Sequence, residues 1–400
     1  MSFIYRCILV IALNASCLQS QDSWCEIASP SNVPFEAGLG ISNVRMHFNN
    51  AAKGWMLVRK SSFNTEHWGQ VYRTQDSGKT WNMNWQDLLG RYSREGSLRA
   101  IHMVDTLNGW IGGSKYYGNS DSAYPLVLHR AWIPGTVGIN WHVQDTKLPA
   151  NHAINGVWAF SADKALIATS KGIVARTFDA GETWKAIDTL EGNRSINEIF
   201  FIDSLYGWLY SSDLLYQTQD GGYSWMPIQY GTPFGIMGLF FFDRNHGWIG
   251  GEAGRIRATT DGGNTWFSQW STTGSRIEDI EFISRNVGFA VGGGVAGRDS
   301  SRVLKTTDGG MTWRQTEHPR DAWISDIDLV DADNGYIVTG KYLYSYCGDE
   351  LVSVLQNDGA QPCECTKSLY DFLGREVDAQ ASGMLLEYDP CASKARVVYR

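Results

Sequence analysis

Five aspartates recur at one place in one short pattern, and a recurring carboxylate is where chemistry is first to be sought. The segments RTQDSGKTW, RTFDAGETW, QTQDGGYSW, ATTDGGNTW and KTTDGGMTW end at Trp81, Trp184, Trp225, Trp266 and Trp313. Each places an aspartate (Asp76, Asp179, Asp220, Asp261, Asp308) two residues before a glycine (Gly78, Gly181, Gly222, Gly263, Gly310). Such carboxylates could ligate a metal or transfer protons. They could equally accept hydrogen bonds from the N–H groups of their own turn. The spacing favours the second reading. The tryptophans stand 103, 41, 41 and 47 residues apart, so the copies belong to successive repeats, and copies spread around a ring cannot converge on one site. The glycine then supplies a positive φ, and the tryptophan is expected to bury its ring against the neighbouring sheet.

Other chemistry is weakly supported. Sialoside hydrolysis would need an arginine cluster, a Tyr–Glu pair and an acid. Arg73, Arg176, Arg257, Tyr206 and Glu198 offer only singletons, and three of these arginines sit at or near equivalent repeat positions just before the Asp-Gly turn. Two carboxylates and arginines facing one channel would favour hydrolysis; an aromatic shelf without them would favour a lectin. The eight histidines lie far apart, and the Cys363–Cys365 pair lacks zinc spacing. There is no Gly-Lys-Ser/Thr phosphate loop, and the GGGVAG run at 292–297 has no βαβ context. Neither metal nor cofactor is therefore expected. A formal net charge of −8 without a basic stripe argues against nucleic acid as a partner.

The elements that position these residues follow from a second repeat. VRMHFNNAAKGW, IHMVDTLNGW, INEIFFIDSLYGW and IMGLFFFDRNHGW end at Trp55, Trp110, Trp208 and Trp248. IEDIEFISRNVGF and ISDIDLVDADNGY end at Phe289 and Tyr336, and INGVWAFSADKAL puts Ala165 and Leu166 at the Gly-Trp place. That makes seven units, with the second unit's missing Asp-Gly turn hidden near Leu128–Trp141. Four short strands per unit predict an all-β, seven-bladed β-propeller of four-stranded blades. The Gly-Trp aromatics are expected to be buried spacers between blades rather than a sugar-stacking ring. The last unit lacks a fourth strand after KYLYSYC, whereas DSWCEI near the N-terminus resembles YSWMPI at Trp225. Trp24–Ile27 should therefore complete the last blade and close the ring. Cys25 and Cys347 would then lie on neighbouring strands, where a disulfide is expected.

The ends are different in kind. Residues 1–20 read as an export signal peptide, with Arg6, a short apolar run and small residues; acylation of Cys17 is the lipoprotein alternative. The propeller is assigned to 21–347, a polar linker to 348–366, and a small C-terminal β module to 367–400. No later run is long and apolar enough to predict a transmembrane span.

The stretch FFFDRNHGWIGGEAGRIRATTDGGNTW resembles the repeat of photosystem II stability/assembly factor-like propellers. Asp boxes of this kind are shared with sialidases and some secreted β-glucanases. The resemblance covers about 24–347 and implies a non-enzymatic scaffold binding a membrane-protein precursor. The tail, with Tyr370, Asp371, Gly374, Arg375, Val377, Gly383 and KARVVYR, resembles type IX secretion sorting domains. It implies a partner in the secretion machinery and a secreted or outer-surface destination. If a binding face lies in irregular loops, His67, Trp68, Tyr92, Tyr116 and Tyr117 in units one and two are the candidate contacts for a protein or glycan.

Overall fold

The computed structural model describes residues 24–27, 40–61, 67–86, 97–116, 122–132, 139–294, 301–316, 323–331, 333–339 and 342–346. Four short strands follow beyond residue 367. Seven four-stranded antiparallel sheets form the ring. In six of them the strands follow chain order. The first strand of each lines the central channel. Those inner strands are Gly40–Asn50, Ser97–Met103, Ile154–Ala159, Ile196–Phe201, Ile236–Phe241 and Ser275–Phe282 for blades one to six, and Ile324–Leu329 for blade seven.

Blade seven is built from both ends of the propeller. Its order is Trp24–Glu26, Leu343–Tyr346, Gly335–Thr339, Ile324–Leu329, with Trp24 opposite Tyr346 and Cys25 opposite Ser345. This pairing removes the open sheet edge that an unclosed ring would leave. Cys347 lies outside the described residues. The second blade forms its outer hairpin from Ala123–Trp132 and Ile139–Gln144, where the repeat lacks its Asp-Gly turn.

Seven hydrophobic clusters hold the blades, one in each gap between neighbours. The Gly-aromatic repeat explains their geometry. Trp208 stacks on Phe241 of the next blade with centroids 3.6 Å apart, Trp248 on Phe282 at 3.6 Å, and Tyr336 on Phe48 at 3.8 Å. Each of those phenylalanines meets its own blade's Asp-box tryptophan edge-on: Trp266, Trp313 and Trp81. The glycine is needed because the phenylalanine covers it. A Cβ on Gly247 would come within 2.3 Å of the Phe241 ring. Fully burying such a side chain stabilises the fold by about 1.5–3 kcal/mol.

The second unit, Val354–Arg400, contains strands Ser368–Tyr370, Glu376–Val377, Met384–Asp389 and Lys394–Tyr399. They form one antiparallel sheet with the first strand between the second and third.

Candidate functional site

The Asp-box aspartates turn inward on their own backbone. Asp261 accepts the Thr259 hydroxyl at 2.8 Å, the Thr265 N–H at 2.8 Å and the Thr265 hydroxyl at 2.6 Å. Gly263 takes φ +98°, and its N–H donates to the Thr259 hydroxyl at 2.8 Å. Asp76, Asp179, Asp220 and Asp308 repeat the arrangement. The Thr265 hydroxyl and then its N–H hold the Asp261 carboxyl below the usual carboxylate range. Trp81, Trp225 and Trp313 are buried, while Trp184 and Trp266 are half-buried.

The channel gathers a different set of residues. In five blades the last inner-strand residue pairs with the glycine of the next strand, as Phe241 does with Gly247; in blade one Phe48, two residues before the strand's end, pairs with Gly54, and in blade three Ala159 pairs with Ala165. Side chains alternate along a strand, so the residues one and three places earlier face the axis. The first ring is His47, His102, Trp158, Phe200, Phe240, Glu281 and Asp328. The second is Arg45, Ala100, Gly156, Glu198, Gly238, Asp279 and Asp326. All but Gly238 line a cavity of about 270 Å³.

The two sides of this cavity differ chemically. Rings follow one another around five blades: His47 to His102 at 5.4 Å, His102 to Trp158 at 4.0 Å, Trp158 to Phe200 at 5.3 Å and Phe200 to Phe240 at 5.6 Å. Across from them stand Glu281 and Asp328 of blades six and seven, while Glu198, Asp279 and Asp326 gather around Arg45. Arg45 Nη1 donates to Asp326 Oδ1 at 2.8 Å and to the Ser325 carbonyl at 3.0 Å. Burial opposes its charge, but Asp326, Asp279 and Glu198 outweigh that and raise its pKa above the guanidinium range.

Most of these acids have a backbone partner in the following blade. The inner strand of a propeller blade has an unpaired edge facing the axis, and its N–H groups need acceptors. Ile327 N–H donates to Asp279 at 3.2 Å and Leu329 N–H to Glu281 at 2.6 Å. Met46 N–H donates to Asp326 at 2.7 Å and Phe48 N–H to Asp328 at 2.5 Å. His102 makes the same link, its Nδ1 accepting the Ala159 N–H at 3.3 Å. These side chains therefore staple one blade to the next.

Burial dominates the protonation of the channel. It pushes Glu198 up to about 8, with Asp279 adding to the rise. It pushes Asp326 to about 8 and Asp328 to about 7, and raises Asp279 and Glu281. Desolvation lowers His47 to about 4 and His102 to about 3, so both are neutral at pH 7. Glu198 is bonded to Tyr210. Tyr210 donates to the Met237 carbonyl at 2.5 Å, and its contact with Glu198 opposes part of the rise that burial causes.

No protein-family model matches the chain. It is similar in part to photosystem II assembly lipoproteins Ycf48. The protein of that name from Synechococcus sp. (strain CC9902) is 34% identical over 88 residues, covering 21% of this chain and 26% of the relative. The one from Nostoc sp. (strain PCC 7120 / SAG 25.82 / UTEX 2576) is 24% identical over 193 residues, covering 36% of this chain and 56% of the relative. The matched regions thus span about a quarter and about half of these relatives' length. The solved structure "YCF48 bound to D1 peptide" superposes with a TM-score of 0.57 at 20% identity, over 81% of this chain and 98% of that one. At that identity the likeness establishes the propeller fold.

His67 and Trp68 open the strand His67–Thr74 of blade one, and Tyr116 ends the strand Gly109–Tyr116 of blade two; Tyr92 and Tyr117 lie outside the described residues. Of the five hydrolase singletons only Glu198 reaches the channel. Arg176 is buried against Phe160, Phe178 and Tyr223 and donates to the Gly221 carbonyl of the next blade at 2.8 Å. Arg73 lies 5.3 Å from the Trp55 centroid, Arg257 donates to the Thr232 carbonyl at 3.0 Å, and Tyr206 lies under Arg244 at 3.9 Å. These are packing and inter-blade roles. Among the described residues, no three His, Cys, Asp or Glu are grouped to hold a metal ion, and no helix is long and apolar enough to cross a membrane. Apart from Glu198, the channel acids were not singled out in the sequence. Their signal was the alternation of acids with apolar residues in IEDIEF and ISDIDL.

Proposed function

We propose that this chain is an exported, non-enzymatic propeller that binds a segment of a protein partner during assembly of a larger complex. One observation carries the reading: Asp279, Glu281, Asp326 and Asp328, which could have formed a hydrolytic site, are engaged by backbone N–H groups of neighbouring blades. The similarity to proteins named as photosystem II assembly lipoproteins supports an assembly role, and a peptide is bound to one propeller of like fold. The export signal at 1–20, or acylation at Cys17, would take the chain out of the cytoplasm. The tail at 367–400 would address it across an outer membrane to the outside or the cell surface.

The test uses the mature chain as bait in cross-linking mass spectrometry of membrane and periplasmic fractions. The expected result is a protein partner cross-linked beside the channel mouth. A hydrolase reading has one specific observation in its favour: Glu198 bonds to no backbone N–H in the described structure and holds its proton to about 8, as a general acid would. Turnover of any glycoside in a substrate screen, lost in Glu198→Gln, would replace the scaffold reading. Binding on a glycan array without turnover would make the protein a lectin.

A further inference from the structure

Blade seven is the one blade assembled from two distant parts of the chain. Its outermost strand is only Trp24–Glu26. Its inner strand is stapled on both sides. From blade six, Asp279 and Glu281 accept the N–H groups of Ile327 and Leu329. Toward blade one, Asp326 and Asp328 accept those of Met46 and Phe48. Elsewhere in the ring most of the matching places hold residues that cannot do this: Trp158, Phe200 and Phe240 have no acceptor, and Ala100, Gly156 and Gly238 have no polar side chain. Carboxylate staples are therefore concentrated, among the described residues, at the two junctions of the closing blade.

The charges around these staples do not balance. From blade one Arg45 and His47 face them, from blade two Arg99 and His102, from blade four Glu198 and Tyr210. Blade six adds Glu278, which burial also raises, and Arg276 beside it. Arg45 is bonded to Asp326, and Arg99 is bonded to Asn155 of blade three and to Ser97 of its own blade. Burial keeps both histidines neutral. Arg45 is the guanidinium bonded to a staple, and each further ionised carboxylate adds repulsion across the seam.

We propose that the two junctions flanking blade seven are a proton-locked seam, in which neutral carboxyl groups hold the closing blade and their ionisation at alkaline pH loosens it. Ionised carboxylates remain good acceptors, so the bonds themselves do not fail first. Mutual repulsion drives Ile324–Leu329 away from Gly40–Asn50. Blades three and five, whose inner strands put Gly156, Trp158, Gly238 and Phe240 at these places, lack this crowding.

Hydrogen–deuterium exchange of the full chain at pH 6 and pH 9, corrected for intrinsic exchange, tests the seam. Protection is expected to fall about tenfold or more, the equivalent of one pK unit, in 40–50 and 324–329, and to hold in 154–159 and 236–241. Glu198→Gln removes a charge without removing a staple, so it should move the loss to higher pH. Asp279→Asn, which keeps an acceptor, should do the same and serves if the first variant fails to fold. Protection that holds everywhere at pH 9, or falls equally in all blades, or a profile unmoved by the folded variant, overturns the proposal.

Discussion

Asp328 accepts the backbone N–H of Phe48 at 2.5 Å, although 280 residues separate them in the chain. The bond joins the last blade to the first at the layer where Phe48 stacks on Tyr336. Asp328→Ala orphans that N–H and should cost about 1–3 kcal/mol. Asp328→Asn keeps an acceptor and sheds the charge, so it should cost little and help above pH 7. Denaturant unfolding of both variants at pH 8 measures the difference; equal losses would mean that the carboxylate packs rather than staples.

The ring itself was legible because two repeats announce it. The Asp-Gly turn fixes where third and fourth strands meet, and the Gly-aromatic pair fixes the second strand. The closing strand was legible because DSWCEI matches YSWMPI. The channel was not. Asp279, Glu281, Asp326 and Asp328 alternate with Ile and Leu as residues of a solvent-facing strand would, and only closure turns those positions toward the axis. Glu198 was noticed for its residue type, but nothing in the sequence places it beside Arg45, 153 positions earlier. The loop aromatics Tyr92 and Tyr117 lie outside the described residues.

The stacked pairs between blades carry much of the stability. Trp248 is 3% exposed and lies on Phe282 at 3.6 Å, and Phe282 in turn meets Trp313. Trp248→Ala should cost about 3–5 kcal/mol, and Trp248→Phe distinctly less. Thermal unfolding of the two variants checks this. A loss from Trp248→Ala below about 1 kcal/mol, the size of an ordinary surface change, would remove the spacer role.

If the Asp boxes are architectural, removing one should weaken the fold and leave partner capture intact. Asp308 accepts the Thr312 N–H at 2.8 Å, the Thr312 hydroxyl at 2.6 Å and the Thr306 hydroxyl at 2.8 Å. Asp308→Ala should lower Tm by roughly 2–4 °C with unchanged cross-linking yield. A folded variant with normal Tm that captures nothing would assign the Asp box to binding.

Cys25 stands opposite Ser345, two positions before Cys347 in the chain. A Cys25–Cys347 disulfide would fasten the three-residue closing strand to its neighbour. Non-reducing peptide mapping of exported protein should recover the linked pair, and Cys25→Ser should sensitise the ring to denaturant. Recovery of both as free thiols would leave strand pairing and Trp24 packing to hold the closure alone.

Two sets of acids act on stability with opposite sign. Asp261 and the other Asp-box carboxyls are held below the ordinary carboxylate value, so the native state binds fewer protons than the unfolded chain. Their contribution is present above about pH 4 and is lost as pH falls through their lowered values. The channel acids are the reverse. Glu198 and Asp326 are raised to about 8 and Asp328 to about 7, so the native state retains protons that the unfolded chain releases near pH 4. Their contribution is full below about pH 4, declines as pH rises, and is gone once pH passes about 8. The two trends place maximal stability at mildly acidic pH, with a fall toward pH 8 that Glu198→Gln should flatten. Urea midpoints measured every half unit from pH 3 to 9 give the profile, and a stability that rises from pH 5 to 8 would show that the channel carboxylates are ionised at no cost.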